Sequence, residues 1–241
     1  MWLTNQLKMF KDVFADLFPS LIEGLTVTLQ VTVISVFGVT LLGVIFCAMK
    51  LSGVRLVRAA ANIYVYCIRG TPFIVQLFLV FFGLPQLIQM SGGDFRINSF
   101  WASVVTCSIN GGAYITDIFR TSIISVDKGQ KEAAFSLEIS KFNTYRKIII
   151  PQALRLSISA IGNQIIITFK DTSICSIIAL GDIVYKGKLY IGRTMQPFVT
   201  YMVIGVFYII IISILSVAVH CVERGLNNDT ENTDKKAKQK L

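Results

Sequence analysis

Two groups of polar residues interrupt apolar runs, and they are where chemistry could occur. Within residues 156–180, Asn163 or Gln164, Thr168, and Asp171 or Thr172 recur three or four residues apart, so a helix would carry them on one face. Arg69 and Gln76 are seven apart and share a face as well, with Thr71 and Pro72 near the start of that run. The set holds a carboxylate, a guanidinium, carboxamides and hydroxyls, which is equipment for hydrogen bonding and charge pairing. Inside apolar spans such groups cost a few kcal/mol unless they face a cavity or a partner. Either they line a route for a polar solute, or they join helices through side-chain hydrogen bonds.

Groups suited to bond making are scarce. His220 is the single histidine, at the end of an apolar run near Arg224, and reads as a membrane-interface residue rather than a proton relay. No acidic pair accompanies it, which argues against an intramembrane enzyme. Cys47, Cys67, Cys107, Cys175 and Cys221 are scattered without a C-x-x-C, which suits packing better than metal or redox work. A G-x-x-x-x-G-K-[ST] loop is missing from the sequence, so this chain is not expected to hydrolyse nucleotide or to hold a cofactor or metal of its own.

Composition sets the elements that must position these residues. With 54% hydrophobic and 15% charged residues and a mean hydropathy of +0.65, the 241-residue chain reads as an all-α polytopic membrane protein. About five spans of roughly 20 residues fit: 25–49, 71–84 or slightly beyond, 97–116, 156–180 interrupted at Lys170-Asp171, and 197–219. Interrupted spans are typical of transport pathways. Pro85 should bend or end the second span, and Asn110-Gly111-Gly112 gives the third a place to kink or pack closely. Residues 54–68 read as a mixed helix leading to Arg69. Residues 1–19 carry Leu3, Leu7, Phe10, Phe14, Leu17 and Phe18 at helical spacing, which predicts a retained N-terminal interfacial helix. The membrane domain then covers 20–222, and 223–241 is a disordered basic tail with Lys235, Lys236, Lys238 and Lys240.

The net charge of +9 comes from Lys and Arg in loops and in that tail, not on one amphipathic face or among stacking aromatics. Membrane topology, rather than nucleic acid, accounts for it. Lys50, Arg55 and Arg58, the basic run between Lys128 and Arg155, and the tail all belong in the cytoplasm by the positive-inside tendency. An odd number of spans then places the N-terminus outside. Lys186, Lys188 and Arg193 lie outside on this count, against the tendency. Trp2 and Trp101 fit interfacial anchoring.

The polar, basic stretch 129–155 lies between apolar runs and suits a soluble partner. Glu132 to Leu137 is a short helix of good formers, Ser140 can cap a second helix that runs on to Lys147, and Pro151 should fix a turn into the next span. Small Ala133 and Ala134 would let another surface approach closely.

This stretch resembles the E-A-A loop of ABC importer permeases, with Glu132-Ala133-Ala134 and Ile148-Ile149-Ile150-Pro151 at the spacing of that pattern. Arg69-Gly70-Thr71-Pro72, Pro151-Gln152-Ala153-Leu154-Arg155, Gly162-Asn163 and Lys170-Asp171-Thr172-Ser173 are similar to signatures of the family's polar amino-acid branch (histidine, glutamate, glutamine, arginine, opine and cystine). The matches run in the family's order over roughly residues 20 to 222. One departure concerns the turn: where the family has glycine this chain has Glu138, so either the turn is made differently or the two short helices are continuous.

The resemblance implies a type I ABC importer permease fold, with the ATPase-coupling residues Glu132, Ala133, Ala134, Glu138 and Pro151 in cytoplasmic coupling helices. It also implies a cytoplasmic ABC ATPase dimer that uses ATP and Mg, and a second permease chain, identical or homologous. An extracellular or periplasmic amino-acid-binding protein would deliver the solute. The implied pathway residues are Arg69, Thr71, Gln76, Asn163, Gln164, Thr168, Asp171 and Thr172. An amino acid would find ammonium acceptors in Asp171 and backbone carbonyls, and carboxylate donors in Arg69, Gln76 or the threonines. In similar permeases the Gly-Asn pair is often followed by Glu, which suits a basic substrate, whereas Gln164 here favours a neutral polar amino acid such as glutamine, or cystine. A stand-alone carrier or channel is the rival reading, and it leaves the cytoplasmic helix pair without a purpose.

Overall fold

The computed structural model describes the backbone of residues 2–238 and the side chains of residues 8–225; among these the chain is all-α. Its helices are α1 (Trp2–Leu51), α2 (Arg55–Arg69), α3 (Phe73–Phe78), α4 (Leu84–Met90), α5 (Ser99–Ser125), α6 (Lys128–Ser136), α7 (Lys141–Thr144), α8 (Ile150–Asp171), α9 (Ile183–Thr194) and α10 (Pro197–Lys238).

Residues 2–18, expected as a separate interfacial helix, are the first turns of α1, which runs on through Pro19. Only part of the stripe that suggested membrane contact is covered by protein: Leu17 is buried, Phe10 and Phe14 are half-buried and Phe18 is exposed, while Val13, Leu17 and Leu21 pack with Ile183 and Tyr190 of α9 and Val199, Val203, Ile204 and Phe207 of α10. That burial holds the helix together across a proline that lacks one backbone donor. The side chains of Leu3, Leu7 and the proposed anchor Trp2 lie outside the described residues. At the other end α10 continues helically to Lys238, past the point where the sequence predicts a disordered tail; no proline follows Pro197 to stop it, and lone Gly225 does not. Residues 239–241 lie outside the described residues, among them Lys240 of that tail.

Two prolines that should break the chain do not. Wide π turns, Leu79–Gly83 and Tyr145–Ile149, precede Pro85 and Pro151, and the amides of Leu84 and Ile150 reach back to the carbonyls of Leu79 and Tyr145. The longer reach makes room for each pyrrolidine ring, which would otherwise strike a carbonyl of the preceding turn. Hence α3 and α4 form one rod, and the predicted turn at Pro151 is absent: α7 passes through the π turn straight into α8.

α5 is the centre of the bundle. It buries Ala102, Ser103, Thr106, Cys107, Ser108, Gly111, Gly112, Ala113 and Thr116, small residues that let α1 come close. A Cβ on Gly111 would stand 2.6 Å from Val39 Cγ2, and one on Gly38 of α1 would stand 2.7 Å from Ser108 Cβ. The glycines at 111 and 112 serve close approach, and the helix passes through them unbroken. Across this seam Ser35 Oγ donates to the Val104 carbonyl at 3.3 Å.

Three described helices are long and apolar enough to span a bilayer: Lys8–Leu51, Phe73–Met90 and Pro197–Gly225. A fourth is the bent pair Lys141–Ile178 and Ile183–Thr194, with 43° between its halves. The expected fifth, α5, has 27 residues, about 40 Å of helix, enough to cross. Its polarity keeps it out of that set, because it faces other helices rather than lipid. At Asp171 α8 tightens into a 3-10 segment, Thr172–Ile178, and Ala179 ends it in the left-handed region at φ 58°. The polar interruption seen at Lys170-Asp171 thus marks a real change of helix type.

Candidate functional site

The elbow formed by α6 and α7 begins at Asp127, whose carboxylate accepts from the Gly129 amide at 2.6 Å. Ser140 caps α7, its hydroxyl oxygen accepting from the Asn143 amide at 3.4 Å. Between them Glu138 sits at φ 54°. The Glu138 amide donates to the Phe135 carbonyl and the Ile139 amide to the Ala134 carbonyl, each at 3.0 Å. This is a Schellman stop, normally built with glycine at its left-handed position. Neither sequence alternative for Glu138 holds: the helices are separate, and the turn is made as a glycine would make it.

Ala134 faces inward, while Glu132 and Ala133 are exposed, and so are Phe135, Leu137 and Phe142 at 85%, 73% and 71%. A recess of about 820 Å³ opens between the two helices, lined by Lys131, Phe135, Glu138, Ile139, Lys141 and Tyr145 among others. The Lys131 ammonium lies 5.6 Å from the Tyr145 ring centre. Below the elbow Val126 of the α5–α6 junction, Ile149 and Ala153 form a small core joined by Ile123, Tyr145 and Ile148. Through this core and the unbroken passage past Pro151, the elbow is mounted on α5 and α8 together.

In α8 the structure chooses between the sequence alternatives. Gln164, Thr168 and Thr172 are buried on one inward face, Asn163 is exposed, and Asp171 is half-buried. Thr168 and Thr172 satisfy their hydroxyls on the Gln164 and Phe169 carbonyls, at 2.9 and 2.7 Å. Gln164 Nε2 is buried without a hydrogen-bond partner.

The second face is differently disposed. Gln76 Nε2 donates to the Ile68 carbonyl at 2.7 Å, the Thr71 hydroxyl at 2.9 Å and the Thr71 carbonyl at 3.1 Å, and its Oε1 accepts from Asn110 Nδ2 at 3.0 Å. Its polar atoms tie the Arg69–Pro72 corner to α5. The Thr71 hydroxyl donates to the Cys67 carbonyl at 2.8 Å. Arg69 pairs with Asp117 of α5 and lies over the Tyr114 ring, 5.1 Å from its centre. α5 packs against both faces, and no described hydrogen bond joins one face to the other.

Sequence reasoning missed Asp117, Asn110 and Asp182 as organising residues. Asp117 binds Lys50 Nζ at 2.7 Å and lines a 460 Å³ recess between α5 and α8. A carboxylate directly after an uncharged span was the available signal. Asp182 is fully buried as the cap of α9, accepting from the Val184 and Tyr185 amides at 3.2 and 3.0 Å. In α9 Lys186 pairs with Glu23 at 2.6 Å and Lys188 donates to Ser176 Oγ at 2.9 Å. His220 meets the Ser216 carbonyl at 2.8 Å in α10 and is exposed.

Residues 39–228 match the family described as binding-protein-dependent transport system inner membrane component. The chain is 35% identical over 211 residues to the arginine transport system permease protein ArtQ of Bacillus subtilis, covering 88% of this chain and 94% of that one. It is 36% identical over 206 residues to the glutamine transport system permease protein GlnP of Escherichia coli K12, covering 86% and 92%. A solved structure described as an amino acid ABC transporter with histidines superposes with a TM-score of 0.81 at 33% identity, covering 88% of this chain and 96% of that one. The elbow, the central polar helix and the interrupted fourth span thus sit in a shared architecture, and the chain belongs to the family of inner membrane components of binding-protein-dependent transport systems, the permease subunits of ABC importers.

Proposed function

We propose that the chain forms half of the translocation route of an ATP-driven amino-acid importer and takes its drive from a cytoplasmic ATPase dimer that grips the α6–α7 elbow. The observation that carries this is the elbow itself. Exposed Ala133, Phe135, Leu137 and Phe142 make an apolar surface beside the Glu132 carboxylate, on a mount continuous with α8. Clustered exposed apolar side chains outside a bilayer mark a protein contact. Closure of the ATPase pair on ATP and Mg would move α5 and α8 with the elbow, which is alternating access around the interrupted span.

A second permease chain, the same or homologous, supplies the other half of the route. Asn163 is exposed on α8, and a protein neighbour covers its carboxamide at less cost than lipid. An external binding protein delivers the amino acid. The elbow and C-terminus face the cytoplasm and the N-terminus faces outside. Pairing of Lys186 with Glu23 weakens the one basic cluster that opposed this orientation.

The substrate is a neutral polar amino acid, glutamine or cystine before arginine. Gln164 presents a buried amide donor with no internal partner, where a carboxylate would suit a cation. Along the route Asp171 and nearby carbonyls offer acceptors to the ammonium, and Arg69 with the threonines offers donors to the carboxylate at a different depth, as the solute passes. Gln76 supports this site from behind, since its own groups are all engaged.

Reconstitution tests the reading. The chain, its ATPase and its binding protein in proteoliposomes should import labelled glutamine or cystine only when ATP is supplied on the ATPase side. Equal uptake by the permease alone would establish the stand-alone carrier and sink the importer.

A further inference from the structure

Near the inner end of α5 one carboxylate gathers two helix ends. Asp117 Oδ1 holds Lys50 Nζ at 2.7 Å, and Oδ2 holds the Arg69 guanidinium. Lys50 lies in the last turn of α1 and Arg69 in the last turn of α2. The two cations are not equivalent. The Lys50 side chain is 11% exposed and that of Arg69 47%, so Lys50 is the enclosed partner and Arg69 the open one. The Arg69 guanidinium also rests over Tyr114, one turn before Asp117 on the same helix, which fixes its plane.

We propose that Asp117, which lines the α5–α8 recess, is a positioning residue for substrate recognition, holding Arg69 so that its remaining N–H groups receive the carboxylate of the amino acid. The inference rests on the importer reading given above and names the atoms that would carry it. A planar guanidinium held by one carboxylate keeps further donors aligned for a second. The cluster has one more cation than anion, so an approaching carboxylate is attracted even while Asp117 is in place. The recess that Asp117 lines offers the hydroxyls of Thr121, Ser122 and Ser125 beside apolar Leu156 and Ala160. Without Asp117, Lys50 and Arg69 would face one another as uncompensated like charges, and the guanidinium would turn away.

The experiment uses the permease purified with its ATPase, and as probe whichever radiolabelled amino acid the wild-type complex imports in proteoliposomes. Equilibrium binding of that amino acid and the melting temperature are both measured. Asp117→Asn should weaken binding about tenfold or more, as loss of a charge-assisted contact does. Arg69→Lys should weaken it similarly, because an ammonium lacks the planar fork. Asp117→Glu, which keeps the charge, should stay within about threefold of wild type. A lowered melting temperature with unchanged affinity in Asp117→Asn would reduce the triad to a tie between helices and overturn the proposal. Unchanged affinity in Arg69→Lys would overturn it too, even if Asp117→Asn fails to fold. Import of no amino acid by the wild-type complex would instead remove the importer reading, and this inference with it.

Discussion

The amide of Ile139 donates to the carbonyl of Ala134 at 3.0 Å, closing α6 over a Glu138 held at φ 54°. A side chain at that dihedral brings Cβ against the following carbonyl, a strain of roughly 1 kcal/mol that glycine does not feel. Glu138→Gly should therefore slow amide exchange at Glu138 and Ile139 in the elbow by about fivefold, equivalent to about 1 kcal/mol. Glu138→Val, β-branched, should speed it. Hydrogen–deuterium exchange of the purified chain reads both, and faster exchange in the glycine variant would contradict the assigned turn.

Docking at the elbow makes a separate demand. Glu132 is exposed and makes no described ion pair, so Glu132→Lys should leave membrane insertion and folding unchanged while ATPase co-purification falls. A bulky residue in place of exposed Ala133 should act in the same direction by holding the partner off. Full retention of the ATPase by both variants would show that the elbow is not its grip.

Gln164 separates a solute contact from helix glue. A buried amide donor without a partner costs roughly 1–3 kcal/mol, so Gln164→Leu should keep or raise the melting temperature of the purified chain. Import should fall at the same time. Gln164→Glu should shift selectivity toward basic amino acids, read by competition among labelled glutamine, cystine and arginine. A drop in stability in Gln164→Leu with import preserved would assign the residue to helix packing.

The α1–α5 seam sets the stability of the bundle. A Cβ on Gly38 falls 2.7 Å from Ser108 Cβ and closer still to its hydroxyl oxygen, and the larger Gly38→Val has no room to relax. Overpacking of this kind costs typically about 1–3 kcal/mol, and the thermal midpoint should drop accordingly. Gly192, in α9 with open space where a methyl group would stand, is the control: Gly192→Ala should hold the midpoint or raise it slightly, because alanine is the better helix former.

Much of this protein is legible from the order of its residues. Apolar runs bounded by basic clusters announce a helical membrane protein, and the E-A-A stretch between two of them announces the elbow, because burial of apolar surface and the placement of Lys and Arg are local properties of sequence. The interruption at Lys170-Asp171 and the cap at Ser140 follow from the same local chemistry.

Other features needed the third dimension. Pro85 and Pro151 look like breaks because a single helix cannot donate at proline, yet π turns before each and neighbours around them keep the rods whole. The choice of Gln164 over Asn163 for the inward face depends on where α5 lies, since helical spacing alone permits both. Lys50 and Arg69 stand 67 and 48 residues from Asp117 along the chain, and no periodicity connects the three. Sequence by itself determined which segments are apolar, where charge accumulates and which short motifs cap or turn. Tertiary structure decided which polar groups meet, because Coulomb attraction and hydrogen bonding act over ångströms in space and are blind to distance along the backbone.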